Sequence, residues 1–425
     1  MAKRLYSSIA NVYYGRPSQG MFVIGVTGTN GKTTTVNILH HLINKHVAPC
    51  FSVSSTHIKF GEKAEFNYTK MSSLDAFKLQ HLLIRSREYW CLVAVIEVTS
   101  IGLDQFRFQG IAFDMAILTN ITHDHLDYHG GFEAYANSKK KLYKMVLSNG
   151  KGASYGVFPK DDALGRRWSE EMSIDNKLTF GVASNATMTA RDITEIEDGT
   201  SATVSYLWHD FALETPLVWR FNISNILAAV SATTLMGVDI KEAMSSIKEI
   251  GGILGRMDRF DYGWVKYYVD YAHTEDALYQ TLNYLSSIKW DGRLLALSWS
   301  MGEWRDVAKR PAMGKLLDNY ADVVVLADED PGQEGRIGII ADVMKDMERR
   351  EGMWLFIIPE RFFAVKFLVE IAQPWDIVFL AGKGHEQVML TKYGKREWSD
   401  KKVLEKLLGI EDESATLKSD ERGRE

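Results

Sequence analysis

The chain alternates between short apolar runs and longer amphipathic stretches. Apolar runs of strand length occupy residues 21–26, 92–97 and 115–119, and helix-length stretches occupy 32–44 and 74–88. Buried strands alternating with helices predict a mainly parallel sheet covered on both faces. Residues 177–221 differ: short segments containing Thr and Val are divided by Asn-Ala, Asp-Gly and His-Asp pairs, which predicts a small antiparallel excursion. Residues 222–236, rich in Ala and Leu, predict a helix. The stretch IGGILGR, residues 250–256, carries three glycines and marks a hinge.

Beyond the hinge a second alternating series begins. Strands are predicted at 265–270, 294–299, 323–327, 354–358 and 377–381, with helices at 275–288, 307–320, 338–350 and 361–371. This pattern predicts a doubly wound, Rossmann-like unit with a five-stranded core. Residues 1–20 are punctuated by Gly15, Pro17, Ser18 and Gly20 and read as a linker or leader. The expected organisation is a linker at 1–20, an α/β unit at 21–250, a second at 251–411 and a polar flexible tail at 412–425.

Composition narrows the function classes. The 425 residues hold 50 Lys+Arg against 55 Asp+Glu, a formal net charge of -5, which argues against nucleic acid as the main partner. Two cysteines, Cys50 and Cys91, exclude a disulfide scaffold and a four-cysteine zinc ribbon. The apolar runs fall far short of the ~18 residues that span a bilayer, so no membrane span is expected. The basic N-terminus has no apolar core, so no secretory signal is expected, and the chain reads as cytoplasmic.

The strongest chemical signal is GVTGTNGKTTT, residues 25–35, between a predicted strand and a predicted helix. Gly28 and Gly31 let the backbone approach a phosphate, and loop amides with the helix N-terminus cradle the anion. Lys32 is placed to reach the β- and γ-phosphates, and the Thr33 hydroxyl to bind Mg²⁺. The general P-loop spacing asks for Gly at position 26, where this chain has Val26. Glu97 ends a buried strand, where open α/β sheets bind ligands, and is a natural Mg²⁺ partner. TNITHDHLDYHG, residues 119–130, packs three histidines and two aspartates just past another strand. Spacing alone does not choose among these histidines. Three lysines stand together at 139–141 on a predicted helix, where only one or two can face a common site.

In this order the motifs resemble the Mur ligase family, ATP-dependent amide ligases of cell-wall peptide assembly, and most of all the members that add the third peptide residue. The resembling stretches are YYGRPS (13–18), the 25–35 loop, MSSLDAFKLQ (71–80) and EVTSIGLDQFRFQG (97–110). They continue through TNITHDHLDYHGGFEAYANSKKKLY (119–143), FNISNILAA (221–229), GRMDRF (255–260), DYAHTEDAL (270–278), RDVAKRPAMG (305–314) and AGKGHE (381–386). The resemblance implies a P-loop ATPase-like central domain with a parallel sheet and a C-terminal Rossmann-like domain. It implies that Gly28, Thr29, Asn30, Gly31, Lys32, Thr33 and Thr34 form the ATP loop. Glu97 and His125 look like Mg²⁺ ligands beside Thr33, and Lys139 takes the place of the family's carbamylated lysine, which helps hold a second Mg²⁺. Asn225 resembles an adenine-contacting asparagine, and Arg256, Asp270 and His273 fall in segments that close over the nucleotide. The implied cofactors are ATP and two Mg²⁺ ions. The implied substrates are a peptide-like carboxylate, converted to an acyl phosphate, and an amino-acid amine.

Departures from the family pattern refine this picture. About twenty residues precede the ATP-loop strand, so the family's uridine-binding first domain is not expected, and a separate protein partner supplying that site enters as an expectation. Ser72, Ser73, Ser100 and Arg107 align with positions that touch the muramoyl-peptide. Arg305 resembles the arginine that binds the incoming amino acid's carboxylate, but the glycine-rich loop before it reads SWSMGEW, with Glu303 and Trp304 in unusual places. The diaminopimelate-selecting Asp-Asn-Pro-Arg is here Glu329, Asp330, Pro331 and Gly332. Loss of that arginine, with Glu329, Asp330 and Glu334 nearby and Gly382 and Glu386 in AGKGHE, predicts a cationic side chain such as lysine or ornithine. The alternatives weighed are a non-catalytic nucleotide-binding partner, an amidating ligase whose cysteine-rich zinc insert two cysteines cannot supply, and a folate polyglutamylating ligase whose motifs differ.

Overall fold

The computed structural model describes residues 2–410, except 70, 197–198, 299, 301 and 303–306. It divides into two compact units, Met1–Ile253 and Leu254–Glu425.

The first unit is built on one sheet of eleven strands among its described residues. Phe22–Thr27 lies at its centre between Val93–Glu97 and Met115–Leu118, parallel to both. Cys50–Val53, Tyr155–Pro159, Asn176–Gly181 and Met188–Ile196 extend the parallel part outward. Antiparallel strands close both edges: His57–Phe60 and Lys63–Phe66 on one side, Gly199–Tyr206 and His209–Thr215 on the other. The region expected as an antiparallel excursion therefore joins the main sheet, and its first strand, Asn176–Gly181, pairs in parallel. The strands at 50–66 leave little sequence signal, being four residues each and separated by Ser, Thr and Gly.

Helices cover both faces. Lys32–His46 and Arg220–Leu235 bury one face with Ile24, Val26 and Ile117 of the central strands. Arg220–Leu235 is buried along most of its length, and its sequence accordingly lacks a polar stripe. Ala76–Arg85, Phe132–Leu147 and Ala163–Glu171 cover the other face, with Phe113, Leu142 and Tyr143 in its core. Residues 1–20, expected as a linker, contain the helix Ala2–Tyr13. It rests on Ala76–Arg85 through Ser7 and Ala10, with Tyr6 against Phe77 at 4.9 Å.

Among its described residues the second unit's main sheet has six strands instead of the expected five, and Val388–Thr391 pairs with Gly394–Glu397 in a separate antiparallel hairpin. The order in the main sheet is Asp258–Tyr262, Val265–Asp270, Ile377–Ala381, Leu294–Ser298, Val323–Leu326 and Leu355–Ile357. All pairings are parallel except the first, which adds an antiparallel edge. That added strand, DRFDY, is polar and half exposed, so no apolar run announces it. The helix expected at 338–350 spans Arg336–Met344. No helix among the described residues is long and apolar enough to cross a membrane.

Candidate active site

In the first unit the chain leaves the central strand at Thr27, turns through residues 28–31 and enters the helix Lys32–His46. Gly31 precedes that helix at φ 79°, where a Cβ would lie 2.1 Å from Asn225 Oδ1. At Gly28 a Cβ would lie 1.8 Å from Thr119 Oγ1. The loop is pinned from outside: Asn30 N donates to Asn120 Oδ1 at 2.9 Å, Thr119 Oγ1 donates to Asn30 O at 2.6 Å, and Thr29 Oγ1 reaches Thr122 O and the Tyr135 hydroxyl. No side-chain cap is made at this helix N-terminus, whose amide dipoles favour an anion.

Two groups of side chains meet at this turn. Thr33 Oγ1 donates to Glu97 Oε2 at 2.9 Å, and the same oxygen accepts the Ser55 amide at 2.9 Å. Glu97 is buried, and among the described residues no cationic side chain pairs with it. Lys32 Nζ donates to Gly28 O at 3.1 Å and Thr29 O at 2.8 Å, and Lys139 Nζ donates to the same Gly28 O at 2.6 Å. Lys139 is buried, with its nitrogen 4.5 Å from the Tyr135 ring centre. Burial, then the Lys32 charge, holds its amine well below the usual lysine range, and Asp124 opposes this.

His125 sits at φ 51° with its Nε2 3.4 Å from Asp124 Oδ2. Asp124 thereby links His125 to the neighbourhood of Lys139, a role the spacing of TNITHDHLDYHG could not single out. Among the described residues no group of three or more His, Cys, Asp or Glu side chains is gathered to hold a metal. The donors do suit Mg²⁺ of the kind that uses one or two protein oxygens and completes its shell with phosphate and water: a hydroxyl and a carboxylate without a cationic side-chain partner among the described residues stand side by side at Thr33 and Glu97. Thr34 is buried in the same turn, and Asn225 packs under Gly31 with its Oδ1 3.5 Å from Thr35 Oγ1.

The expected acyl-substrate residues also cluster. Ser73 Oγ lies 2.8 Å from Thr99 Oγ1 and accepts the Thr99 amide. Arg107 donates to Ser73 O at 2.6 Å and twice to Gln105 Oε1. These bonds use three of its five N–H groups and leave two for an anion. Ser100 Oγ meets His129 Nε2 at 3.1 Å, and Ser72 is half-buried beside Ser73.

The second unit places several of its buried charged residues at the carboxyl ends of its strands. Asp270 ends Val265–Asp270 and accepts the Met257 amide at 2.7 Å; burial outweighs Arg256 and pushes its carboxyl up to about 6. Arg256 stacks on Tyr271 at 4.7 Å, and His273 Nδ1 lies 2.8 Å from Tyr271 O. Glu329 is buried against Gly382, its Oε1 has no hydrogen-bond partner, and burial pushes its carboxyl up to about 7. The surrounding acids are engaged. Lys383, fully buried, donates to Asp330 Oδ1 at 3.0 Å, to Glu386 and to Val388 O. Glu334 is held by Arg310 at 2.6 and 2.8 Å. Lys383 and Arg310 thus already hold Asp330, Glu386 and Glu334, while Glu329 Oε1 is left without a hydrogen-bond partner. Sequence spacing gave no hint of Lys383, because the pairing crosses 53 residues to Asp330. Arg305, Glu303 and Trp304 lie outside the described residues. A cleft of about 870 Å³ lined by Lys289, Arg293, Asp322 and Trp354 lies at the opposite strand ends, away from these groups.

The comparisons agree with this arrangement. The Mur ligase middle domain matches residues 26–233, and the Mur ligase glutamate ligase domain matches 255–384. A UDP-N-acetylmuramyl-tripeptide synthetase of Roseiflexus sp. (strain RS-1) is 33% identical over 91% of this chain and 78% of its own length. A UDP-N-acetylmuramoyl-L-alanyl-D-glutamate–2,6-diaminopimelate ligase of Chromobacterium violaceum is 35% identical over 93% of this chain and 78% of its own. A solved ligase of that same description has TM-score 0.61 at 30% identity, covering 92% of this chain and 78% of that one. A MurF ligase from Thermotoga maritima, solved with ADP, shares the fold at TM-score 0.67 and 18% identity, over 96% of this chain and 84% of that one. An ATP-loop turn backed by a buried lysine, two matching domain models and relatives aligned over nearly the whole chain lead to one conclusion: the chain belongs to the Mur ligase family of ATP-dependent amide ligases.

Proposed function

We propose that this ligase converts a muramoyl-peptide carboxylate to an acyl phosphate and then joins it to an amino-acid amine. The observation that carries this reading is the turn at residues 28–33, where the helix N-terminus, the Lys32 ammonium and the Thr33–Glu97 pair converge. The amides of that N-terminus and Lys32 bind the nucleotide's phosphates and balance the charge that moves with the γ-phosphoryl group. Thr33 and Glu97 would hold Mg²⁺, which supplies further charge neutralisation when bound. Arg107, braced by Ser73 and Gln105, offers its two spare N–H groups to the substrate's carboxylate, and Ser72 and Ser100 line the same place. Asn225 contributes by fixing the loop glycine. Little covalent work falls to the protein, so positioning dominates.

Lys139 adds a second element to the proposal. An amine held below its usual range is neutral more of the time, and a neutral amine attacks CO₂, forming a C–N bond and losing a proton to give an anionic carbamate. A carbamate here replaces a buried cation beside Lys32 with an anion, which suits a second Mg²⁺. The reaction belongs in the cytoplasm, where ATP is present.

For the incoming amino acid, Arg305 would bind the α-carboxylate, and the side chain would meet the Glu329, Asp330 and Glu386 group. Glu329, whose Oε1 has no hydrogen-bond partner and which Lys383 does not bond, favours an ammonium over a carboxylate at this place, so lysine or ornithine is the first reading. Diaminopimelate is the second, favoured by relatives 31–35% identical whose names specify it. ADP release, measured with UDP-linked and unlinked muramoyl-dipeptide and each amino acid in turn, tests both levels. Turnover with one pair, lost in Lys32→Ala, is expected; nucleotide binding without turnover on any pair would sink the ligase reading. A higher kcat/KM for lysine or ornithine is expected, and a clear preference for diaminopimelate refutes the electrostatic argument alone.

A further inference from the structure

Among the described residues thirteen non-glycines have positive φ, and seven of them are tryptophans: Trp90, Trp208, Trp219, Trp264, Trp290, Trp354 and Trp375, at φ between 48° and 77°. The whole chain has only 11 tryptophans. For a bulky side chain this backbone region is an outlier, because Cβ crowds the following carbonyl. Chance clustering of one large residue type in it has no physical basis.

The local motifs sharpen the point, since several of them have a specific place for glycine. Trp375 follows Pro374 in a turn closed by Asp376 N donating to Gln373 O at 3.0 Å; this is the third position of a type II turn, which requires positive φ. Trp90 ends the turn Ser86–Tyr89, with Cys91 N bonded to Ser86 O and Trp90 N to Arg87 O, the pattern in which glycine terminates helices. Trp264 and Trp208 each take the second place of a two-residue hairpin loop whose first residue also has positive φ, the glycine place of a type I′ turn. Trp219 stands at φ 77°, ψ 156° before the helix Arg220–Leu235, a region essentially confined to glycine.

Burial separates the same set. Six of the seven are exposed, from 58% for Trp354 to full exposure for Trp208, although tryptophan is ordinarily well buried. The two other described tryptophans behave in the usual way. Trp168 is buried in a helix against Tyr143, and Trp398 is buried with its Nε1 donating to Asp400 Oδ1 at 2.7 Å. Neither has positive φ. Trp264 and Trp375 do meet, with ring centres 5.3 Å apart, but the set as a whole is spread over both units and has the backbone conformation in common, not one surface.

We infer that the seven positions are glycine in the protein as its own cell makes it. Tryptophan is written by UGG, and in some genetic codes also by UGA, a codon that other codes assign to stop or to glycine. The seven positions are then UGA codons decoded by a glycine-charged tRNA, and Trp168 and Trp398 are the true tryptophans, encoded by UGG. The sequence extends this to Trp299 and Trp304, which flank the loop before Arg305. With glycine at both, that loop is again glycine-rich, and its departure from the family pattern reduces to Glu303.

Two experiments decide the matter, and neither depends on the ligase activity. Peptide mapping of the protein isolated from its source cells, together with the codons of its gene, is expected to show glycine and UGA at 90, 208, 219, 264, 290, 354 and 375, with tryptophan and UGG at 168 and 398. Tryptophan in those seven peptides, or UGG at those codons, overturns the inference. Separately, the full chain is made in a standard host as written and with W90G, W208G, W219G, W264G, W290G, W354G and W375G together. The glycine form is expected to melt several degrees higher, or to fold where the tryptophan form does not, while W168G and W398G each lower the melting temperature. Equal melting temperatures for the two forms contradict the conformational basis.

Discussion

Lys139 and Glu329 carry opposite charges when ionised, yet burial disfavours the charged form of both. If the low-lying Lys139 amine is used as a carbamate, Lys139→Ala abolishes most ADP release, and short carboxylic acids added to the assay restore part of it. Full activity of Lys139→Ala removes the carbamate from the mechanism. Lys140 pairs with Glu171 at 2.8 Å and Lys141 with Asp104 at 3.0 Å, both near the surface, so alanine there changes stability by at most ~1 kcal/mol and leaves turnover intact. For Glu329 the sign is worked from its raised carboxyl. Below the ordinary carboxylate range both folded and unfolded chains hold the proton, and the burial penalty is absent. As pH rises towards about 7 the unfolded chain ionises first, so stability falls, by on the order of 3 kcal/mol across that window. Glu329→Gln flattens this slope in thermal melts between pH 5 and 7, taken as roughly the interval between the two pKa values; an unchanged slope assigns it to other groups, Asp270 among them. At this scale the sequence was informative about residue type and silent about pairing. It singled out Glu329, Asp330 and Glu334 together, but their partners Lys383 and Arg310 are brought in by the fold.

Gly31 shows what the strand-turn-helix element demands. Its φ of 79° suits glycine, and Asn225 Oδ1 occupies the space a methyl would need. Gly31→Ala is therefore expected to lower the melting temperature and weaken ATP binding at least tenfold by titration calorimetry. Adding Asn225→Ala recovers stability only in part, because it removes the clash and not the φ strain. ATP affinity unchanged in Gly31→Ala would show that the loop amides do not hold the phosphates. The elements themselves were legible where the apolar period is regular: the strands Val265–Asp270 and Ile377–Ala381 and the helices Glu275–Ile288 and Arg361–Ile371 fall where the apolar pattern puts them. The helix Ala2–Tyr13 was not legible. It buries the small residues Ser7 and Ala10 and exposes Leu5, Ile9 and Val12, so its apolar side does not report its contacts.

At the scale of the molecule, each unit has its own sheet and core. Residues 254–410 alone are expected to give one cooperative thermal transition with native-like near-ultraviolet dichroism, and so are residues 1–253; a fragment that stays unfolded shows that its core is incomplete without the other. The sequence by itself determined the α/β class, the order of the parallel strands' segments, the ATP loop and the family. Each of these is written in contiguous residues, through apolar period, glycine placement and motif order. Tertiary structure alone decided which groups meet: Glu97 with Thr33 across 64 residues, Lys139 with the Gly28 carbonyl across 111, and Lys383 with Asp330 across 53. It also decided the protonation tendencies, because burial that shifts a carboxyl or an amine is a property of the packed surroundings and appears nowhere in the local sequence.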